Sequence, residues 1–264
     1  MTSTTKHPYN QSMKKHSILI LHAALCCLFI ATPVFAADPA TSSINPEADR
    51  LLRATSTILA QAKAFSFKAE VWEDVVVAGH KVTTTKTVDT QVRRPDRFQM
   101  EIRSPRRNRG FWYDGTAFTL LDRLNNLYGS VAAPETIDKV LDAANDKYGI
   151  NFPLEDFLVN DPYGSAVGGI KGGAYFGKVT VLGTPCQHIA FSTDKVDWQL
   201  WVQDGANPLP RKLVITYKND DTEPQVTVIF SDWKLKSGLS DKTFVFTPPK
   251  GAAKVEILPG TANE

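Results

Sequence analysis

The side chains that most often carry catalysis are scarce in this chain. Past residue 36 it has two histidines, His80 and His188, and one cysteine, Cys186. Cys186 and His188 stand two apart in a stretch that reads as a strand, so they share a face. That spacing admits a thiol nucleophile beside its base. It equally admits two neighbours packed in or beside the core, which is the reading we favour. HExxH, GxSxG and phosphate-cradling glycine loops do not occur. Gly168-Gly169 and Gly172-Gly173 flank Lys171 without P-loop spacing and read as a mobile connection. A metal centre needs three or more soft or imidazole ligands, so neither a metal nor another cofactor is expected. Asp220, Asp221 and Glu223 read as a solvated turn. No enzymatic activity is expected.

The basic residues are more informative. Arg93, Arg94, Arg97, Arg103, Arg106, Arg107 and Arg109 fall within 17 residues of a chain whose net charge is only +2. Arg103, Arg106, Arg107 and Arg109 would form a positive rim suited to anionic lipid headgroups or to a membrane-protein partner in the cell envelope. The same charges would also deter edge-to-edge aggregation of a sheet. Aromatic residues do not interleave with the arginines as base stacking requires, so no nucleic-acid partner is expected.

Residues 1–36 read as a cleavable signal peptide. Lys14 and Lys15 precede a 13-residue apolar run, Ile18 to Ile30, and Val34-Phe35-Ala36 supplies small residues for cleavage. The run is too short to span a bilayer, and Cys26 and Cys27 lack the small preceding residue of a lipidation site. Cleavage would remove Lys6, Lys14 and Lys15 and no acids, leaving 27 basic against 28 acidic residues. The expected product is one periplasmic domain, 37–264, with Cys186 as its lone thiol. It must hold together by an ordinary core instead of a disulfide.

The elements that would position these residues follow from periodicity. After a linker at 37–44, Asn45-Pro46-Glu47 opens a helix with Leu51, Leu52, Thr55, Ile58 and Leu59 on one face. Period-two alternation starts at Phe65, and Asp114-Gly115 marks a hairpin turn. Helices are expected from Pro134 to Tyr148 and from Leu154 to Val159, with a loop at 161–173. Strands then return, and FVFTPPKGAAKV, residues 244–255, reads as a closing strand ended by Pro248-Pro249. About ten to eleven strands and three helices result. Trp198, Leu200 and Val202 share one face, as do Val226, Val228 and Phe230. So much apolar strand face calls for an α+β fold: an open, highly curved antiparallel half-barrel with helices as a lid or plug.

Two stretches carry a family resemblance. VRRPDRFQMEIRSP (92–105), followed by YDGTAFTLLD (113–122), resembles the early strands of the LolA family of periplasmic lipoprotein carriers. FVFTPPKGA resembles that family's closing strand. Across its mature length the chain is similar to the exported family catalogued as domain of unknown function 2092, within the wider LolA, LolB, RseB and LppX superfamily. The resemblance implies a cavity under a helical lid, with Arg94 holding the lid by hydrogen bonds and Phe98, Met100 and Ile102 lining the cavity. Trp112, Trp198, Leu200 and Phe230 complete the candidate lining. The expected function is a periplasmic carrier for a lipid or lipoprotein acyl chain; the alternative is an envelope-stress sensor that contacts a membrane-protein partner.

Overall fold

A computed structural model of the protein describes residues 44–219, 221–235 and 238–260. The expected signal peptide with Cys26 and Cys27, most of the linker at 37–44, and Asp220 lie outside the described residues. Alternating apolar and polar residues build one twelve-stranded sheet. Its strands are β1 (Ala64–Val77), β2 (His80–Arg93), β3 (Arg97–Arg103), β4 (Asn108–Tyr113), β5 (Ala117–Asp122) and β6 (Leu127–Ala132), then β7 (Gly172–Val181), β8 (Thr184–Ser192), β9 (Val196–Gln203), β10 (Pro210–Tyr217), β11 (Gln225–Leu235) and β12 (Ala253–Lys254). Their order across the sheet is β12-β6-β5-β4-β3-β2-β1-β11-β10-β9-β8-β7. Every pairing is antiparallel except β12 with β6.

The sheet is open and curved. Laid flat, twelve strands about 4.8 Å apart would span about 50 Å, far more than short helices can cover. Yet Phe65 and Phe67 of β1, Phe98 of β3, Phe118 of β5, Ile189 of β8 and Leu200 of β9 belong to one buried cluster. Curling brings their shared face round to itself. The β1–β2 hairpin turns at Ala78 and Gly79, with φ of 50° and 78°, the left-handed pair that matches strand twist.

Among the described residues three α-helices lie on the concave side. In α1 (Pro46–Gln61) the Asn45 side chain accepts from the N–H groups of Glu47 and Ala48, and Leu51, Leu52, Thr55 and Leu59 are buried. Helix α2 (Ile137–Tyr148) begins at Thr136, whose hydroxyl caps Lys139 N, and ends at Gly149 with φ 62°. The expected start at Pro134 is thus too early, because the capping hydroxyl lies two residues on. The helix expected at 154–159 reduces to one 3₁₀ turn, Glu155–Phe157. The glycine-rich stretch expected as loop instead holds α3 (Pro162–Val167), where Asp161 accepts from Gly164 N and Pro162 opens the first turn. Among the described residues no helix is long and apolar enough to cross a membrane.

The closing strand expected from Phe244 to the Pro248-Pro249 stop is not formed. Both neighbours of β11, β1 and β10, are already in place, and Pro248-Pro249 has no N–H to offer a ladder. The chain instead makes a 3₁₀ turn at Asp241–Thr243 and buries Phe244 completely. It then lays Phe246 against Trp112 and Tyr128, with ring centroids 5.0 and 5.1 Å away. Only Ala253 and Lys254 pair, parallel to β6 at the sheet edge.

Candidate functional site

The concave face has two unlike halves. Over β3, β4 and β5 it is filled. Phe152, from the segment after α2, puts its ring edge-on to Phe98, Phe111 and Phe118 at 5.7, 5.1 and 5.8 Å. Helix α2 adds buried Ile137, Val140, Leu141 and Ala144. Over β9 and β10 it is hollow. A cavity of about 350 Å³ lies between α1, α3, the 3₁₀ turn and the sheet. Leu52 and Leu59 of α1, Phe157, and Trp198, Leu200, Leu213 and Ile215 of the strands supply its apolar lining.

Polar groups in the lining are few. Thr55 and Ser56 come from α1, Asp156 and Ser165 from the lid, and Thr193 and Lys195 from the β8–β9 turn. The Ser165 hydroxyl donates to the Asp156 carboxylate at 2.6 Å. Thr55 is 2% exposed, and its hydroxyl has no hydrogen-bond partner among the described residues. Glu155, next to the lining, has its carboxyl pushed above its ordinary value by burial and then by the Asp156 charge.

Arg94 ties the roof together. Its Nη1 donates to the Leu158 carbonyl at 2.7 Å and to Asn160 Oδ1 at 3.3 Å, and its Nε donates to the Leu59 carbonyl at 3.3 Å. One side chain thereby joins the last turn of α1 to the segment behind the 3₁₀ turn. The guanidinium also lies over the Phe65 ring, 5.5 Å from its centroid. Burial lowers its pKa, with Asp138 acting in the opposite sense, and its Nη2 is buried without a partner.

The other candidate residues fall in different places. Trp198 and Leu200 line the cavity. Phe230 stands behind the wall, edge-on to Phe157 at 5.2 Å. Phe98 and Met100 are fully buried in the filled half, and Ile102 packs against the same core. Trp112 does not face the cavity at all. Strand alternation turns Phe111 and Tyr113 inward, so Trp112 lies on the convex face under Phe246 and beside the Arg123 guanidinium. The strands had shown which residues share a face, but not that Phe152 fills half of it. Leu213 and Ile215 alternate in LPRKLVITYK, so their place in the lining had a signal of its own.

Cys186 and His188 share the convex face without touching in a catalytic manner. Sγ of Cys186 donates to the Thr184 carbonyl at 3.4 Å, and burial raises the thiol pKa. The His188 ring is stacked between Phe176 and Trp201, at 4.8 and 4.1 Å, with Nε2 3.0 Å from Gln199 Oε1. Burial lowers its pKa. Among the described residues no group of three or more His, Cys, Asp or Glu is placed to hold a metal. In the arginine rim, Arg103 reaches Asp89 and Glu101 at 3.4 and 3.8 Å, and Arg109 faces Asp122 across β4 and β5. Arg106 and Arg107 sit exposed on the β3–β4 turn, and no salt bridge among the described residues involves either side chain.

A family model described as predicted periplasmic protein (DUF2092) matches residues 48–258. No curated protein matches the chain. Among solved structures, Mycobacterium tuberculosis lipoprotein LppX is similar with a TM-score of 0.46 at 9% identity, over 72% of this chain and 96% of its own. LprF from Mycobacterium bovis gives 0.44 at 13% identity over 80% and 99%. A LolA superfamily protein from Nitrosomonas europaea gives 0.33 at 12% identity over 75% and 97%. Likenesses this distant say nothing about ligand or partner.

Proposed function

We propose that this chain, which belongs to the DUF2092 family of predicted periplasmic proteins, is exported by its N-terminal signal and carries a lipid or lipoprotein acyl chain in the cavity beneath α1 and α3. The observation that carries the reading is the cavity itself: about 350 Å³, within the range of small-ligand sites, with a largely apolar lining. Filled half and hollow half share one curved sheet, and the hollow one is roofed by α1, which Arg94 ties to the segment behind the 3₁₀ turn, and by α3, whose Tyr163 hydroxyl donates to Asp49 of α1. At roughly 30 Å³ per water-sized group the space accepts on the order of ten methylenes. Burying them is worth about 8 kcal/mol at ~0.8 kcal/mol each. Immobilisation costs at least about 4 kcal/mol, so an alkyl chain alone would bind only near millimolar strength. A polar anchor or a longer reach of chain must supply the rest.

Native mass spectrometry of protein purified from the periplasm, with displacement of a fluorescent fatty acid, tests this reading. Co-purified lipid and displacement are expected. Finding neither would overturn it.

A second reading rests on Arg106 and Arg107, exposed cations without an ion pair among the described residues. They suit an acidic surface on a membrane-protein partner. Replacing Arg106, Arg107 and Arg109 by Ser should then abolish capture of that partner and leave lipid content unchanged. Loss of lipid with the partner retained would exclude it.

A further inference from the structure

We infer that the cavity takes an acyl chain by its ester or amide carbonyl, with the Thr55 hydroxyl as the donor to that oxygen. This rests on the acyl-binding reading and adds which chemical end of the ligand is recognised and by what. Buried hydroxyls in folded proteins nearly always have a partner, and a helical Thr ordinarily finds one in the carbonyl a turn earlier. Thr55 has neither that bond nor any other among the described residues, although it is 2% exposed and lines the cavity. Thr90, the other such hydroxyl among the described residues, is paired between Phe67 and Met100 in the filled core and does not line the cavity. Thr55 therefore holds the unused donor at the cavity wall; its oxygen is shielded in this conformation, so donation to a ligand requires the side chain to turn inward.

The chemistry around Thr55 selects the acceptor. Asp156 lines the same space with Glu155 beside it in sequence, so a free carboxylate entering there would meet negative charge. A neutral carbonyl oxygen meets none of that repulsion and still accepts a hydrogen bond from the Thr55 hydroxyl, though a weaker one than a carboxylate would. Leu52 and Leu59, one turn either side of Thr55 on α1, flank the carbonyl with apolar surface for the chain. Lys195, exposed at the same cavity and in no ion pair among the described residues, is available to whatever anionic group the ligand carries outside.

The test compares two amphiphiles that differ only at the carbonyl, 1-O-decanoylglycerol (ester) and 1-O-decylglycerol (ether), as competitors of N-phenyl-1-naphthylamine fluorescence. The wild-type protein should prefer the ester by roughly two- to tenfold. T55V, which keeps the shape and removes the donor, should bind ester and ether equally, and T55S should keep the preference. T55V should also melt no lower than wild type, since it removes a buried unpaired hydroxyl. An ester preference that survives T55V, or none in the wild type although both compounds bind, overturns this inference alone. If neither compound displaces the dye, the acyl-binding reading fails and this inference falls with it.

Discussion

Replacing Arg94 with Met removes the three side-chain hydrogen bonds that join α1 to the segment behind the 3₁₀ turn while keeping the apolar stem over Phe65. The bond to the Leu158 carbonyl is short, at 2.7 Å, and Leu158 is fully buried; a charge-assisted bond of this kind contributes about 1.5–3 kcal/mol. The two bonds at 3.3 Å are at the long end of the range and add about 0.5 kcal/mol each. Against them stands the buried, unpaired Nη2, whose removal recovers about 1 kcal/mol. The net loss is about 2 kcal/mol, or about 30-fold in the opening equilibrium of the segment behind α2. Hydrogen exchange reads this directly, since Leu158 and Val159 N–H groups both bond to the Glu155 carbonyl and should exchange about 30-fold faster in the variant. The β1–β2 ladder, held by its own backbone pairs, should change little. Unchanged exchange at 150–160 with faster exchange along β1 and β2 would refute the reasoning, because Arg94 would then be supporting the sheet and not the roof.

Phe152→Ala should cost about 3–5 kcal/mol in urea unfolding, as it empties the space among Phe98, Phe111 and Phe118; a loss below 1 kcal/mol would mean that α2 collapses into the gap. Gly129→Ala would set a Cβ 2.4 Å from Ile257 Cγ1 and 3.2 Å from the Val255 carbonyl. It should free the C-terminal segment to proteolysis and cost about 1–3 kcal/mol; unaltered cleavage would show that the segment shifts at no penalty. Glu155→Gln tests the raised carboxyl. The folded protein holds that proton more tightly than the unfolded chain, so its stabilising contribution is present below the ordinary value of 4.5 and lost as pH rises through the raised one. The variant should therefore melt higher than wild type at pH 7, and the difference should shrink towards pH 4; a constant difference would point to a cause other than titration.

Much of the sheet could be read from residue order. Arg97–Arg103 forms where Phe98, Met100 and Ile102 alternate strictly with polar residues, whereas Gln225–Leu235 alternates only as far as Phe230 and then shifts register against β1. The first helix was equally plain, because Asn45 and Pro46 are a local cap. The same kind of signal, Asp161-Pro162, opens α3, and the glycines that follow it mask it in the sequence.

Sequence by itself determined a broad antiparallel sheet with one apolar face, a capped helix before it, and the shared face of Trp198 and Leu200. Those are properties of spacing along the chain, and spacing is local. Only the tertiary structure decided that Phe152 fills one half of the concave face while the other stays hollow. It also decided that Trp112 lies under Phe246 on the convex side, and that the C-terminal stretch crosses to the edge at β6 instead of adding a strand beside β11. Each of these turns on which distant segment occupies a given volume or ladder position, and period-two alternation assigns a residue to a face without saying what will cover it.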